Sequence, residues 1–366
     1  MTAPEMSWLG HAGTPLSAVG EFGLIARLRA IAEGRGGGSG VPGGFVVVGI
    51  GDDAASVLPT PGHEILLTCD IQIAGRHFIP GWTSPRALGE RCIAVNASDI
   101  GAMGGVPRAV IVSLAVGPEI AVEDLEELYR GMMDRVRRLD ASLIGGNVSG
   151  LPSGLIVDVT MIGEVEQGRA VRRDTARAGD LVWVTGSPGS AAAGLALLQT
   201  GRGKGRAKGS EDLGEFVEAY LSPAARAGEG RALGLSGAVS SMIDVSDGLI
   251  GDLTHMVEGR EVGIVLREES LPIGEAFARA AAEIGRAPES LLLGPSDDYE
   301  LIFTTAPEAA ERALRELHLV SDVAAWPIGE VIEGAAGLVL LEDKQGHRRP
   351  AAARGWDHFH IHEGSP

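Results

Sequence analysis

A run of strand-forming residues, Phe45-Val46-Val47-Val48, leads directly into Gly49-Ile50-Gly51-Asp52-Asp53. β-Branched and aromatic residues favour extended backbone, and glycine permits a tight turn, so this stretch predicts a strand that delivers two adjacent carboxylates to its end. Taken alone it also reads as a solvated hairpin turn, because Asp and Gly are ordinary turn residues. The pattern recurs. Asp70 closes the apolar run Ile65-Leu66-Leu67-Thr68-Cys69, and Asp99 follows an apolar helical stretch. Asp244 and Asp247 flank Ser246 in Met242-Ile243-Asp244-Val245-Ser246-Asp247-Gly248-Leu249. Five acidic positions at the ends of elements, Asp53, Asp70, Asp99, Asp244 and Asp247, call for one explanation.

The chain of 366 residues is long enough for two domains with cores of their own. With 49 acidic against 31 basic residues it carries a formal charge of −18, which excludes a general basic face for nucleic acid. A polyanionic substrate would have to be met through divalent cations. Cys69 and Cys92 are too few for a disulfide framework, the start lacks a signal-peptide pattern, and no run reaches the ~20 apolar residues of a membrane helix. A cytoplasmic protein without membrane or nucleic-acid partners is expected.

Along the chain, helical spacing begins at Glu21-Phe22-Gly23-Leu24-Ile25. The Gly-rich tract 33–40 reads as a connector, since it lacks a Walker Gly-Lys-Ser/Thr ending and no strand feeds it. Strands are expected at 45–50, 65–70, 109–116 and 155–163. Helices are expected at 84–103, opened by Ser84-Pro85, and at 122–139, where Val122, Leu125, Leu128, Met132 and Val136 form an apolar stripe. Asn96 and Asp99, three apart, can face one site. The stretch Gly145-Gly146-Asn147-Val148-Ser149-Gly150 reads as a loop. A polar boundary at 168–180 precedes a second unit with helices at 190–199, 249–257 and 309–317, strands at 181–184, 263–266 and 300–305, and two closing strands. The basic loop 201–206 reads as a solvated insertion.

A nucleoside triphosphate bound without a Walker loop needs its charge neutralised in another way, and carboxylates holding several Mg²⁺ ions would do so. Mg²⁺ takes oxygen ligands in near-octahedral geometry, so those carboxylates can lie far apart in sequence. On the segments Gly20 to Ile25, Gly51-Asp52-Asp53, Asp70 to Phe78, Ala94 to Ile100, Met242 to Leu249, Asp298-Tyr299-Glu300-Leu301 and Gly355-Trp356-Asp357-His358-Phe359, the chain resembles the thiamine-monophosphate kinase family of the PurM-like superfamily. The resemblance implies an α+β, two-domain PurM-like architecture with mixed sheets and helices packed on one face. Its N-terminal domain (1–166) would bind metal and ATP and pair in a homodimer; the C-terminal domain (167–366) would complete the ATP and substrate site.

The implied reaction is Mg²⁺- and ATP-dependent phosphorylation of thiamine monophosphate. Carried over, Asp53, Thr68, Asp70, Asp99, Asn147, Asp244 and Asp247 match metal positions, and Tyr129, Gly146, Asn147, Arg173 and Ser246 match ATP positions. His77, Asp297 and Trp356 match substrate positions, with Asp70, Asp247 and Arg173 as the catalytic set. Plain alternatives stand beside these: His77 as a strand-end cap, Trp356 as packing, Tyr129 as surface, and Arg173 in an ion pair with Asp174.

Three departures bear on the site. Asn147, Val148 and Gly150 stand in a segment where the family commonly has Gly-Gly-Asp-Thr-Thr-Arg, removing one negative charge and one arginine. Cys69 replaces a threonine, and Gly294-Pro295-Ser296-Asp297-Asp298 replaces Ser-Gly-Gly-Glu-Asp. A PurM-like enzyme with another acceptor and a non-catalytic nucleotide binder are the competing readings. The selenide and hydrogenase-maturation relatives are disfavoured because no cysteine lies near either end.

Overall fold

The computed structural model describes residue 8 and residues 13–33, 44–201 and 213–351. Trp356, most of the Gly-rich tract and most of the basic loop lie outside them. The chain divides into two units, Met1–Ile100 with Val106–Gln167 and Gly101–Gly105 with Gly168–Ser365.

In the first unit the elements are α1 (Leu16–Glu33), β1 (Val46–Val48), β2 (Ser56–Val57), β3 (His63–Ile73), α2 (Pro85–Ala102), β4 (Val106–Val116), α3 (Val122–Arg138), β5 (Ser142–Gly150) and β6 (Leu155–Glu166). β1 and β2 make a small antiparallel ribbon around the Asp52-Asp53 turn. The main sheet has the order β3-β6-β4-β5, antiparallel except for the β4–β5 pair.

Period-two patterning sets the faces of that sheet. On β6, Leu155, Val157, Val159 and Met161 are buried, whereas the residues between them are half-exposed. Ser84 starts α2 as its sequence suggests, its Oγ accepting the Ala87 N–H at 3.1 Å. The expected stripe of α3 is fully buried from Val122 to Val136. The segment 145–150, expected as a loop, is instead the second half of β5. Main-chain pairing with β4, from Ala109 opposite Ser142 to Val116 opposite Gly150, outweighs the poor strand propensity of its glycines.

The second unit contains β7 (Leu181–Thr185), α4 (Ser190–Gln199), α5 (Gly214–Leu221), α6 (Ala227–Ser236), β8 (Val239–Asp244), α7 (Leu249–Val257), β9 (Val262–Arg267), α8 (Glu275–Ile284), α9 (Pro288–Leu292), β10 (Leu301–Thr305), α10 (Ala310–Val320), β11 (Ala325–Glu333), β12 (Val339–Glu342) and β13 (Arg348–Pro350). Among the described residues three strands follow α10, where two were expected, the last a short exposed edge. The sheet order is β13-β12-β9-β11-β7-β10-β8. Val182 and Val184 face a core built with α4, α7, α8 and α9, and Trp183 faces a second core with α6 and α10, so helices cover both faces here. The β8–β10 pairing sets Asp244 opposite Leu301 and thereby brings two acidic loops to one end of the sheet.

α2 and α3 approach so closely that side chains are excluded at two points. A Cβ at Gly89 would lie 2.0 Å from the Leu128 carbonyl oxygen, and one at Gly131 would lie 2.0 Å from that of Arg86. Backbone cannot yield as a side chain can, so Gly131→Ala should destabilise the first unit by about 3 kcal/mol, the upper range for overpacking. A calorimetric transition unchanged by this substitution would contradict the helix contact.

Candidate functional site

In the first unit β3 and α2 bring three of the expected ligands together. Residues 66, 68, 70 and 72 of β3 face the helices, because Asp70 pairs with the buried Val159. Thr68 Oγ1 donates a short hydrogen bond to Asp99 Oδ2. Burial pushes Asp70 up to about 6, with the charges of Asp99 and Asp158 adding to it and Arg91 opposing it. Asp99 is also raised, chiefly by burial, against the pull of the Thr68 hydroxyl. Arg91, itself buried, is fixed by Gln72 at 3.4 Å. Asn96 donates to the Cys92 carbonyl at 3.0 Å, and its buried Oδ1 has no hydrogen-bond partner. Among the described residues, Arg91 is the cation that offsets the charge at Asp70.

Other expected residues of this unit are placed elsewhere. Asp53 is exposed on the β1–β2 turn, its N–H bonded to Asp52 Oδ1 at 2.8 Å. Asn147 falls in one cross-strand row with Ser113 and Asp158, on the face of the sheet opposite Asp70. Gly146 is exposed beside it, paired with Val112. Tyr129 is not a surface residue of α3. It is 5% exposed, and burial drives its phenol well above the ordinary value. His77 does cap the strand end: the Ile73 N–H donates to its Nδ1 at 3.0 Å, which puts the ring proton on Nε2.

In the second unit the loop after β8 is organised by a residue that its sequence motif did not single out. Asp252, in the first turns of α7, accepts the backbone N–H groups of Ser246, Asp247 and Gly248 on one oxygen, Oδ2, at 3.0, 3.1 and 3.1 Å. Burial, then the charges of Asp244 and Asp247, raise Asp252 well above the carboxylate range, while the Asp247 and Ser246 amides pull it back. One ligand atom each from Asp247, Asp252 and His255 lie within 4.8 Å of one another. The i, i+3 spacing of Asp252 and His255 behind Asp247 was the available signal. Gly248 turns the chain with φ 109°, and a Cβ there would lie 2.3 Å from the Gly294 carbonyl oxygen, so glycine is required on both counts.

That contact leads to the second acidic loop. Tyr299 N–H bonds to the Val245 carbonyl and Val245 N–H to the Glu300 carbonyl, both at 2.8 Å. Within this loop three carboxylates have three environments. Asp298 caps α4 by accepting from Gly189 and Ala191 N–H at 2.6 and 2.7 Å, and burial raises it to about 7 despite those bonds. Glu300 takes Arg226 in a two-pronged ion pair at 2.7 and 2.8 Å and the Thr185 hydroxyl at 2.6 Å. Asp297 is half-buried. Beside them lies a cavity of about 580 Å³ whose wall includes Phe216, Phe277, Glu215, Glu218 and Arg226. Arg173 is exposed and makes no ion pair among the described residues. Its neighbour Arg172 takes Asp174, at 2.7 Å.

Family models described as AIR synthase related protein, N-terminal domain and C-terminal domain, match residues 51–165 and 177–340. Thiamine-monophosphate kinase of Bacillus subtilis is 34% identical over 317 residues, covering 86% of this chain and 94% of its own length. The Escherichia coli K12 protein of that name is 34% identical over 346 residues, 93% and 99% of the two chains. The chain belongs to the thiamine-monophosphate kinase family. Among solved structures it is similar to thiamine-monophosphate kinase from Stenotrophomonas maltophilia K279a, with TM-score 0.75 and 32% identity over 90% of this chain and 98% of that one. It is also similar to AaThiL complexed with AMPPCP and TMP, with TM-score 0.70 and 28% identity over 94% and 98%. The family bears out the two-part PurM-like α+β architecture and the enzyme class expected from the motifs. Among the described residues no helix is long and apolar enough to cross a membrane.

The raised proton affinity of Asp70 has a thermodynamic consequence. A folded value of about 6 against an ordinary 3.8 means that Asp70 favours the fold fully below about pH 4. That contribution is lost as pH rises through 6, and the ionised group then disfavours the fold by on the order of 3 kcal/mol. In chelator, Asp70→Asn should therefore be more stable than the parent at pH 8, with the advantage shrinking toward pH 4. Calorimetry across that range checks this, and an advantage independent of pH would rule out Asp70 as its source.

Proposed function

We propose that this protein transfers the γ-phosphoryl group of ATP directly to thiamine monophosphate, giving thiamine diphosphate, in a Mg²⁺-dependent reaction. The observation that carries the reading is the Thr68–Asp70–Asp99 cluster, in which two half-buried carboxylates are both raised; on the helix that carries Asp99, the buried amide oxygen of Asn96 lacks a partner. Such a set of hard oxygen donors suits Mg²⁺. Thr68, Asp70 and Asp99 would hold Mg²⁺ in the first unit, and Asp244 and Asp247 would hold Mg²⁺ in the second. Asp53 and Asn147 join the metal set by family position alone. When bound, Mg²⁺ supplies the positive charge that neutralises phosphoryl oxygens during transfer.

The chain's own groups do the positioning. Arg173, exposed and without an ion pair among the described residues, can meet a phosphate as a free guanidinium. Gly146, Tyr129 and Ser246 complete the proposed nucleotide contacts. The apolar and acidic wall of the 580 Å³ cavity suits an aromatic cation, as the thiazolium of the acceptor is, and Asp297, His77 and Trp356 are the substrate contacts that family position adds. The acceptor phosphate has a second pKa of about 6 and is largely ionised at neutral pH, so no strong general base is needed. The transfer uses no enzyme nucleophile.

The homodimer belongs to the same proposal. The sheet face away from α2 and α3 exposes Ile65, Leu67 and Ile71 of β3, with Leu67 70% exposed, and a second copy of this face would cover them.

Formation of thiamine diphosphate from ATP and thiamine monophosphate, followed directly, tests the reading. The wild type should require Mg²⁺, and Asp247→Asn should lower kcat by about 1,000-fold with an unchanged melting temperature. Arg173→Ala should raise KM for ATP about 10-fold. ATP binding without product would send the search to another acceptor.

A further inference from the structure

We propose that Asp252 is a positioning residue for this reaction, fixing the turn that presents Ser246 and Asp247. The inference rests on the function proposed above. Three consecutive backbone N–H groups, those of residues 246, 247 and 248, converge on one oxygen of a side chain that is 1% exposed. Convergent amides of this kind form a concavity that would otherwise take an anion. Here the protein's own carboxylate fills it. The turn therefore offers a ligand its side chains, not its amides, and the nucleotide must be met by Ser246 and Asp247 themselves. That separates this loop from a phosphate loop of cradling main-chain donors, although both precede a helix.

The position of Asp252 is costly for stability alone. It is buried beside Asp244 and Asp247, where a neutral acceptor would avoid the repulsion of like charges. What this side chain adds is one oxygen shared by three consecutive amides, which pins the direction in which Asp247 leaves the backbone. The contact of Gly248 with the Gly294 carbonyl holds the same turn from its other side.

The test compares the full-length wild type with Asp252→Ala and Asp252→Asn. Asp252→Ala should lower kcat/KM for ATP about 100-fold, the scale of a small misplacement of reacting groups, while KM for thiamine monophosphate stays within about 2-fold. Affinity for AMPPCP with Mg²⁺, by calorimetry, should fall in parallel, and amide exchange at 246–248 should accelerate. Asp252→Asn keeps one oxygen acceptor and should fall between, losing about 10-fold. Faster exchange with unchanged nucleotide affinity and kcat would overturn the proposal and leave Asp252 as a helix cap only, and equal loss of both KM values would overturn it as a general structural defect. If Asp252→Ala does not fold, the Asn variant decides on the same readouts. A wild type that forms no thiamine diphosphate would defeat the functional reading, while AMPPCP affinity would still judge the role of Asp252.

Discussion

Withdrawal from solvent raises the proton affinity of a carboxylate, and a second carboxylate within reach can raise it further, so a folded chain that keeps such groups together holds an unfavourable arrangement in place by the packing around it. Both units of this protein do so. In the first, β3 and α2 set Asp70 and Asp99 together with Thr68, and Arg91 offsets only part of the charge. In the second, Asp252 lies under Asp244 and Asp247. Everything that gives these elements their direction, from the alternation along β6 to the glycine contact between α2 and α3, serves to keep oxygen atoms where solvent alone would separate them. On the proposed function, a divalent cation would turn the same arrangement into a stable one and would let an acidic protein meet the still more acidic phosphate chain.

Acidic residues in this fold divide by environment rather than by motif. Asp298 and Glu300 are two residues apart, yet one holds the N-terminus of α4 and the other closes Arg226 and Thr185 into a buried network. Both carboxylates are thus committed to partners within the protein. Asp297, between Asp298 and the buried Ser296, is half-buried. Tyr299 takes a positive φ of 55° in the same loop, and its N–H reaches the Val245 carbonyl, so this loop is bonded through its backbone to the residue that leads into the Ser246–Gly248 turn.

Much of this was legible in the sequence because it follows from local rules. The cap at Ser84, the apolar stripe of α3, and the valine runs of β1 and β7 each follow from spacing or from residues within one turn. The ordered motifs gave the family and with it the architecture. What escaped was non-local. β5 is a strand because β4 lies beside it, a fact that Gly145-Gly146 conceals. Tyr129 is buried because α3 packs on both sides, and an i, i+3 or i, i+4 reading of one stripe does not show that. Asp252 escapes a motif reading because its bonds go to its own backbone, four to six residues back, and not to a recognisable ligand set. The ion pair foreseen for Arg173 fell to Arg172, since both precede Asp174 and only the fold chooses between them.

The departure at position 147 illustrates how sheet geometry limits the reach of a substitution. Asn147, Ser113 and Asp158 share one row on the face that carries Ile71 and Cys69, and the Cys69 thiol donates to Asp158 at 3.1 Å. Asp70 lies on the other face, toward Asp99 of α2. Exchanging a carboxylate for an amide at 147 therefore leaves the charge of the Asp70 cluster intact and lowers that of a face whose exposed residues are largely apolar. On that face the remaining carboxylate of the row is Asp158, which also contributes to raising Asp70 from the far side of the sheet. The two faces are thus coupled through Asp158 rather than through Asn147, and the family's charge at 147 can be absent here without dismantling the inner cluster.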